Sequence, residues 1–171
     1  MRNIELTGYQ SERLSTVDSF TKNLPELLTA MVRDGGCLIA LAEFADGRYV
    51  QFWVDQEVFV IGEVLSNLNI GDAIALSPED EEELRRIGFS EPAPGPNPNW
   101  RYQATDSGML ARLVHMIIVA IYEVLGEVAD NPVKIRTWEM PRPVDQCVHE
   151  VRETRRVYFE GILSQFDGIA E

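Results

Sequence analysis

The sequence predicts an α+β fold: one antiparallel sheet of about five strands, a three-strand meander and then two more, packed with about four helices. Three observations carry this expectation. Three runs between residues 37 and 65 read as strands separated by short turn signals. Segment 76–89, LSPEDEEELRRIGF, has the start and stop signals of a helix at its two ends. An apolar helical pattern over 106–128 stands between two further strand-like runs, 99–105 and 132–140.

The first periodic segment places Val17, Phe20, Leu24, Leu27, Leu28 and Met31 at helical spacing. Pro25 interrupts it, so the segment is either one kinked helix or a short turn followed by a helix with Pro25 near its start. Gly35 in DGG is a natural residue to stop it. CLIALAEF (37–44) is apolar on both faces and predicts a central, covered strand. The Asp-Gly step in ADGR (45–48) tolerates the positive φ of a tight hairpin turn. RYVQFWV (48–54) then alternates, with Val50, Phe52 and Val54 on one face and Tyr49, Gln51 and Trp53 on the other. EVFVIGEVL (57–65) follows as the third strand.

In 76–89, Ser77 is a good N-cap, Pro78 fits the first helical position, and Asp80 completes an approximate capping box. The acids 79–83 lie at the positive end of the helix dipole, Arg85 and Arg86 at its negative end, and Gly88 terminates the helix. This grammar accounts for the acidic run without a metal or a nucleic-acid mimic. EPAPGPNPN (91–99) cannot be helix or central strand, because each proline removes a donor and restrains its predecessor. A stiff surface crossing is expected, with Trp100 pinning it to the core at the start of strand 99–105.

Helix 106–128 carries a stripe of Leu110, Leu113, Val114, Ile117, Ile121, Val124, Leu125 and Val128. Met116, Ile118, Val119 and Ala120 extend the apolar surface further round than one sheet face covers. A second helix or a second subunit must cover the rest, which is the ground for expecting a homodimer. Strand 132–140 follows. After PRP, a helix over about 145–167 is expected from Val148, Val151, Phe159, Ile162, Leu163 and Phe166.

At 171 residues the chain fits one domain, 1–171, with a core over 17–140 and a C-terminal helical extension over 141–171. A net charge of −13 argues against nucleic acid, since neutralising phosphates needs clustered Lys and Arg, and against anionic membranes. Thirteen of the fifteen basic residues are arginines, an association with GC-rich, bacterial coding. The N-terminus lacks the apolar core of a signal peptide, and the longest strictly apolar run, MIIVAIY (116–122), falls short of the ~20 residues of a membrane span. Two cysteines, Cys37 and Cys147, make no disulfide framework, so a reduced, cytoplasmic protein is expected.

Nothing in the sequence announces catalysis. There is no Gly-rich phosphate loop, no H-E-x-x-H and no G-x-S-x-G. Cys147 and His149 are two apart on the expected helix and face different sides. His115, among apolar neighbours, is expected to be an interior or interface histidine. Two His and two Cys in separate elements do not make a zinc site. No catalytic residue, metal or cofactor is therefore assigned.

The joints of the chain carry a resemblance. GEVLSN (62–67), LSPEDEEELRRIGF (76–89), PNW (98–100), the long apolar helix and NPVKIRTWE (131–139), in that order and spacing, resemble the bacterial YbjN-like and type III secretion chaperone-like group, the TY-Chap domains. The resemblance covers roughly residues 17 to 140. Ile-Gly-Phe at 87–89 stands where Leu-Gly-Trp is commoner, and 141–171 has no counterpart. It implies an α+β, frequently dimeric, non-enzymatic module that binds a client protein or peptide; an adaptor, regulatory or immunity-type interaction protein is the alternative, and an enzyme comes third.

Two sets of residues are candidates for such contacts. Tyr49, Gln51 and Trp53 combine ring area with polar tips on one face of strand 48–54, a composition suited to client binding unless a helix packs over that face. Met116, Val119 and Ala120 are candidates for a dimer or client interface through the apolar surplus of helix 106–128.

Overall fold

The computed structural model describes residues 10–33, 38–54, 60–68, 74–95 and 98–139. Six strands and three helices alternate along them: β1 (Gln10–Thr16), α1 (Val17–Arg33), β2 (Leu38–Phe44), β3 (Tyr49–Trp53), β4 (Val60–Val64), α2 (Pro78–Ile87), β5 (Trp100–Ala104), α3 (Ser107–Val119) and β6 (Pro132–Glu139). The expected helix over 145–167 lies outside the described residues. The sheet is antiparallel throughout, in the order β1-β6-β2-β3-β4-β5. The meander β2-β3-β4 is as expected, extended by β5, while β6 returns to lie between β2 and β1.

The sixth strand, β1, is absent from the sequence reading. Its residues are polar, with Leu14 75% exposed, so they offer no apolar alternation. What makes it a strand is its seven-residue register with β6, from Gln10 opposite Trp138 to Thr16 opposite Pro132. A polar strand at a sheet edge is stable there and discourages further pairing.

α1 is one continuous helix with Pro25 inside it, which settles the alternative left by the sequence. Thr16 Oγ1 accepts from Ser19 N at 3.2 Å, and the N–H groups of Val17 and Asp18 donate to the carbonyls of Asn131 and Ala129. The loop before β6 thus satisfies donors that a helix start leaves free.

α2 follows its sequence grammar. Ser77 Oγ accepts from Asp80 N at 3.1 Å, Asp80 Oδ2 accepts from Ser77 N at 3.0 Å, and Gly88 closes the helix at φ +119°. Arg85 pairs with Glu82 and Glu91, and Arg86 with Glu83. The Arg86 hydrogen bonds hold the Glu83 carboxyl below the ordinary carboxylate range. The Ser-Asn step before α2 has a physical role. Asn67 bonds both the N–H and the carbonyl of Leu76, at 2.7 and 2.9 Å, tying the end of β4 to the start of α2.

α3 crosses the sheet on the face of Val50, Phe52, Ala40, Ala42, Val133 and Ile135, and the core lies between them. Gly62 marks the closest approach: a Cβ there would meet Leu113 Cδ1 at 2.5 Å. Ser107–Val124 is long and apolar enough by composition to cross a membrane, yet its Leu110, Leu113, Ile117 and Ile121 form this core. The helix ends earlier than expected. Ala120–Val124 is a π-helical turn, Gly126 takes φ +64°, and Val128 falls outside the helix, exposed. Trp100 is 2% exposed and lies beneath Arg85, as its place after the proline crossing implied.

Candidate functional site

Every second residue of the central strands points away from the helices, and the register aligns these residues into rows. One row is apolar: Trp138, Ile39, Trp53 and Ile61 stand side by side across β6, β2, β3 and β4. The next is polar at its ends, running from Glu12 through Arg136, Leu41, Gln51 and Glu63 to Arg101. Among the described residues the three helices pack on the opposite face, α3 over Gly62, α2 against the π turn and over Trp100, and α1 against α3 and β6. No described helix covers Tyr49, Gln51 and Trp53, which are half-buried.

These three side chains are held in one network. Glu63 is fully buried, and its carboxylate accepts from Gln51 Nε2 and from Arg101 Nε at 2.8 Å, with Arg101 Nη2 at 2.7 Å. Asn99 Nδ2 donates to the same carboxylate at 3.4 Å, and the Tyr49 hydroxyl donates to Asn99 Oδ1 at 3.3 Å. The Arg101 guanidinium also lies 5.7 Å from the centre of the Trp53 ring, within cation–π reach. A carboxylate taken out of water is costly unless paired and hydrogen-bonded, and here both conditions hold. The consequence is rigidity: one buried charge fixes Gln51 and Arg101, Arg101 flanks Trp53, and Asn99 anchors Tyr49.

A groove of about 640 Å³ continues this surface along β5 at the end of the sheet, with Asn99, Arg101 and Gln103 on one side and Glu91 and Pro94 on the other. Its near end is closed by the chain itself, where Ser90 and Arg101 exchange backbone hydrogen bonds of 2.8 and 3.1 Å.

Sequence reading found Tyr49, Gln51 and Trp53 but not Glu63, Asn99 and Arg101, which organise them. One signal was available: Glu63 is the charged residue in the middle of an otherwise apolar strand, and a charge in such a place needs partners.

Two of the three residues in the second candidate set are interior. Met116 and Ala120 are 1% and 0% exposed, and Val119 is half-buried. α1 packs against α3 and α2 against the π turn, which covers Met116 and Ala120 within the chain, while Ile118 and Val119 stay half-buried. His115 is exposed, not interior, because it falls on the strip of helix left between Leu113–Val114 and Met116–Ile117 that faces away from the sheet. Cys37, Cys147 and His149 lie outside the described residues. Among the described residues, no three His, Cys, Asp or Glu side chains gather as metal ligands would.

A family model described as "T3SS (YopN, CesT) and YbjN peptide-binding chaperone 3" matches residues 18–139, from the second residue of α1 to the last of β6. No curated protein and no solved structure matches the chain.

Proposed function

From the premise that this chain belongs to that peptide-binding chaperone family, TY-Chap3, we propose that it is a non-enzymatic module that holds a client polypeptide on the outward face of β3 and its neighbours. The observation that carries this reading is the pairing of a sheet face that no described helix covers with a pre-set aromatic and polar cluster, Tyr49, Gln51 and Trp53 around buried Glu63. Tyr and Trp dominate binding hot spots because each buries a large area while keeping a polar tip. Holding them in place before binding lowers the entropy lost when a flexible client docks. The half-buried Trp138, Ile39 and Trp53 of the apolar row offer burial to client side chains, and the polar row beside it offers hydrogen bonds to client main chain.

The test separates binding from folding. A peptide array probed with the purified protein should yield binders that lose at least about tenfold in affinity, roughly 1.4 kcal/mol, on Trp53→Ala or Leu41→Asp. Circular dichroism should show both variants folded. Retained affinity in both folded variants would move the client site elsewhere.

A further inference from the structure

On the sheet face away from the helices, side-chain length alternates from strand to strand. Ile39 and Leu41 of β2 stand between Trp138 and Arg136 of β6 on one side and Trp53 and Gln51 of β3 on the other, all of them half-buried. Short aliphatic side chains between long ones make a trough that runs along β2. Its walls rise from strands about 10 Å apart, two strand spacings. A helix with its side chains is about 10–12 Å across, too wide to sink between them, whereas an extended chain is not. Residues on one face of β2 repeat about every 6.8 Å, and an extended peptide repeats at the same interval. Alternate side chains of such a peptide therefore fall in turn over Ile39, over Leu41, and over the next row, Lys134–Glu43–Tyr49.

The trough changes character along its length. Its Trp138–Ile39–Trp53 end is apolar. At the other end Arg136 engages Glu43 at 3.2 Å and Glu12 at 2.9 Å, and the Tyr49 hydroxyl donates to Asn99. The Lys134 ammonium beside them has no ion pair or hydrogen bond with any described residue. A basic client side chain at this end would have to displace Arg136 from Glu43, whereas an acidic one meets a free ammonium. The net charge of −13 does not oppose this, because at physiological salt charges more than about 8 Å away are largely screened.

We propose that the trough along β2 binds an extended client segment with apolar side chains at two alternate positions and an acidic one at the next alternate position, the acid being selected by Lys134. The proposal rests on the client-site reading given above and assigns that site a sequence pattern. The first apolar side chain sits on Ile39 between the Trp138 and Trp53 indoles, the second on Leu41, and the acid beside Lys134. Gln51, fixed by Glu63, and Arg136, fixed by Glu12 and Glu43, flank the middle position and face the client main chain. Pairing with a half-exposed ammonium changes affinity by about threefold to fivefold.

The test is a peptide array that places leucine, serine, aspartate or lysine at each of five consecutive positions, in both chain directions, probed with the purified full chain. The strongest binders should carry leucine at two alternate positions and aspartate at the next, and serine in place of that aspartate should weaken binding about threefold to fivefold. Lys134→Gln should erase the preference for aspartate while the leucines remain bound. Lys134→Glu should turn the preference toward lysine, with circular dichroism confirming that each variant is folded; the uncharged variant carries the test by itself if the reversed one does not fold. An aspartate preference that survives Lys134→Gln, a wild type indifferent to charge at that position, or leucines favoured at the three- and four-residue spacing of a helix would each overturn the proposal. All of these are read on peptides whose binding is lost on Trp53→Ala. An array that captures nothing, or binding that survives both Trp53→Ala and Leu41→Asp, defeats the client site itself and the proposal with it.

Discussion

Gly62→Ala tests which face of the sheet the helices occupy, and the account of the site depends on that assignment. Gly62 lies in the middle of β4 without a positive φ, so alanine is permitted by the backbone. Taken alone the change should stabilise, since glycine in a strand interior is about 0.5–1 kcal/mol worse than alanine. The new Cβ, however, would meet Leu113 Cδ1 at 2.5 Å, Cδ2 at 3.1 Å and Cγ at 3.2 Å. Leu113 is fully buried in the core, so it can yield only by leaving its rotamer or lifting α3. Overpacking of this kind costs about 1–3 kcal/mol, leaving a net loss of up to about 2.5 kcal/mol. Leu113→Ala alone removes a packed side chain and should cost about 2–5 kcal/mol. With Leu113 shortened, the Cβ at position 62 has room, so the double variant should be more stable than the sum of the singles by about 1 kcal/mol or more. Urea unfolding of the four proteins reads this directly. A stabilised Gly62→Ala, or strict additivity, would mean that α3 does not press on this face.

Other substitutions address separate parts of the account. Trp100→Ala should cost about 3–5 kcal/mol in chemical unfolding, as a fully buried large-to-small change. Arg101→Ala removes a charged partner of the buried Glu63 carboxylate and should destabilise by up to about 3–5 kcal/mol, visible as a lower urea midpoint. Ser77→Ala removes half of the capping box on α2 and should cost about 1 kcal/mol in the same assay. The Glu83 carboxyl, lowered by its hydrogen bonds to Arg86, should titrate below its ordinary 4.5 when followed by magnetic resonance, and Arg86→Gln should return it upward. The sign follows: the pair's contribution is present above the ordinary carboxylate pKa and is lost as pH falls through the lowered value.

Much of this architecture is legible in the sequence because local chemistry and tertiary need agree there. In α2, capping residues, dipole-matched charges and a terminal glycine all point to one structure. In β3, strict alternation separates Val50 and Phe52 from Tyr49, Gln51 and Trp53, and burial follows it. β1 is illegible for the opposite reason: Gln10–Thr16 has no apolar face and is a strand by virtue of β6, more than a hundred residues away. The partner of α3 is hidden in the same way. Met116 and Ala120 read as surplus until α1 and α2 are seen to share the inner face. Half of the site was legible. The aromatic residues announce themselves by alternation, whereas Asn99 and Arg101 acquire their roles only when β5 pairs with β4 and sets Arg101 opposite Glu63.

The central claim, that the sheet face opposite the helices receives the client, is tested most directly by titrating an array-selected peptide into nitrogen-labelled protein and mapping the shifted signals. The account predicts that the Trp53 and Trp138 indole signals and the backbone amides of Tyr49, Gln51 and Gln103 move together and saturate at one peptide concentration, while His115 and the exposed side of α3 stay still. Saturable shifts confined to α3 around His115 and Val119, with Trp53 unmoved, would contradict it.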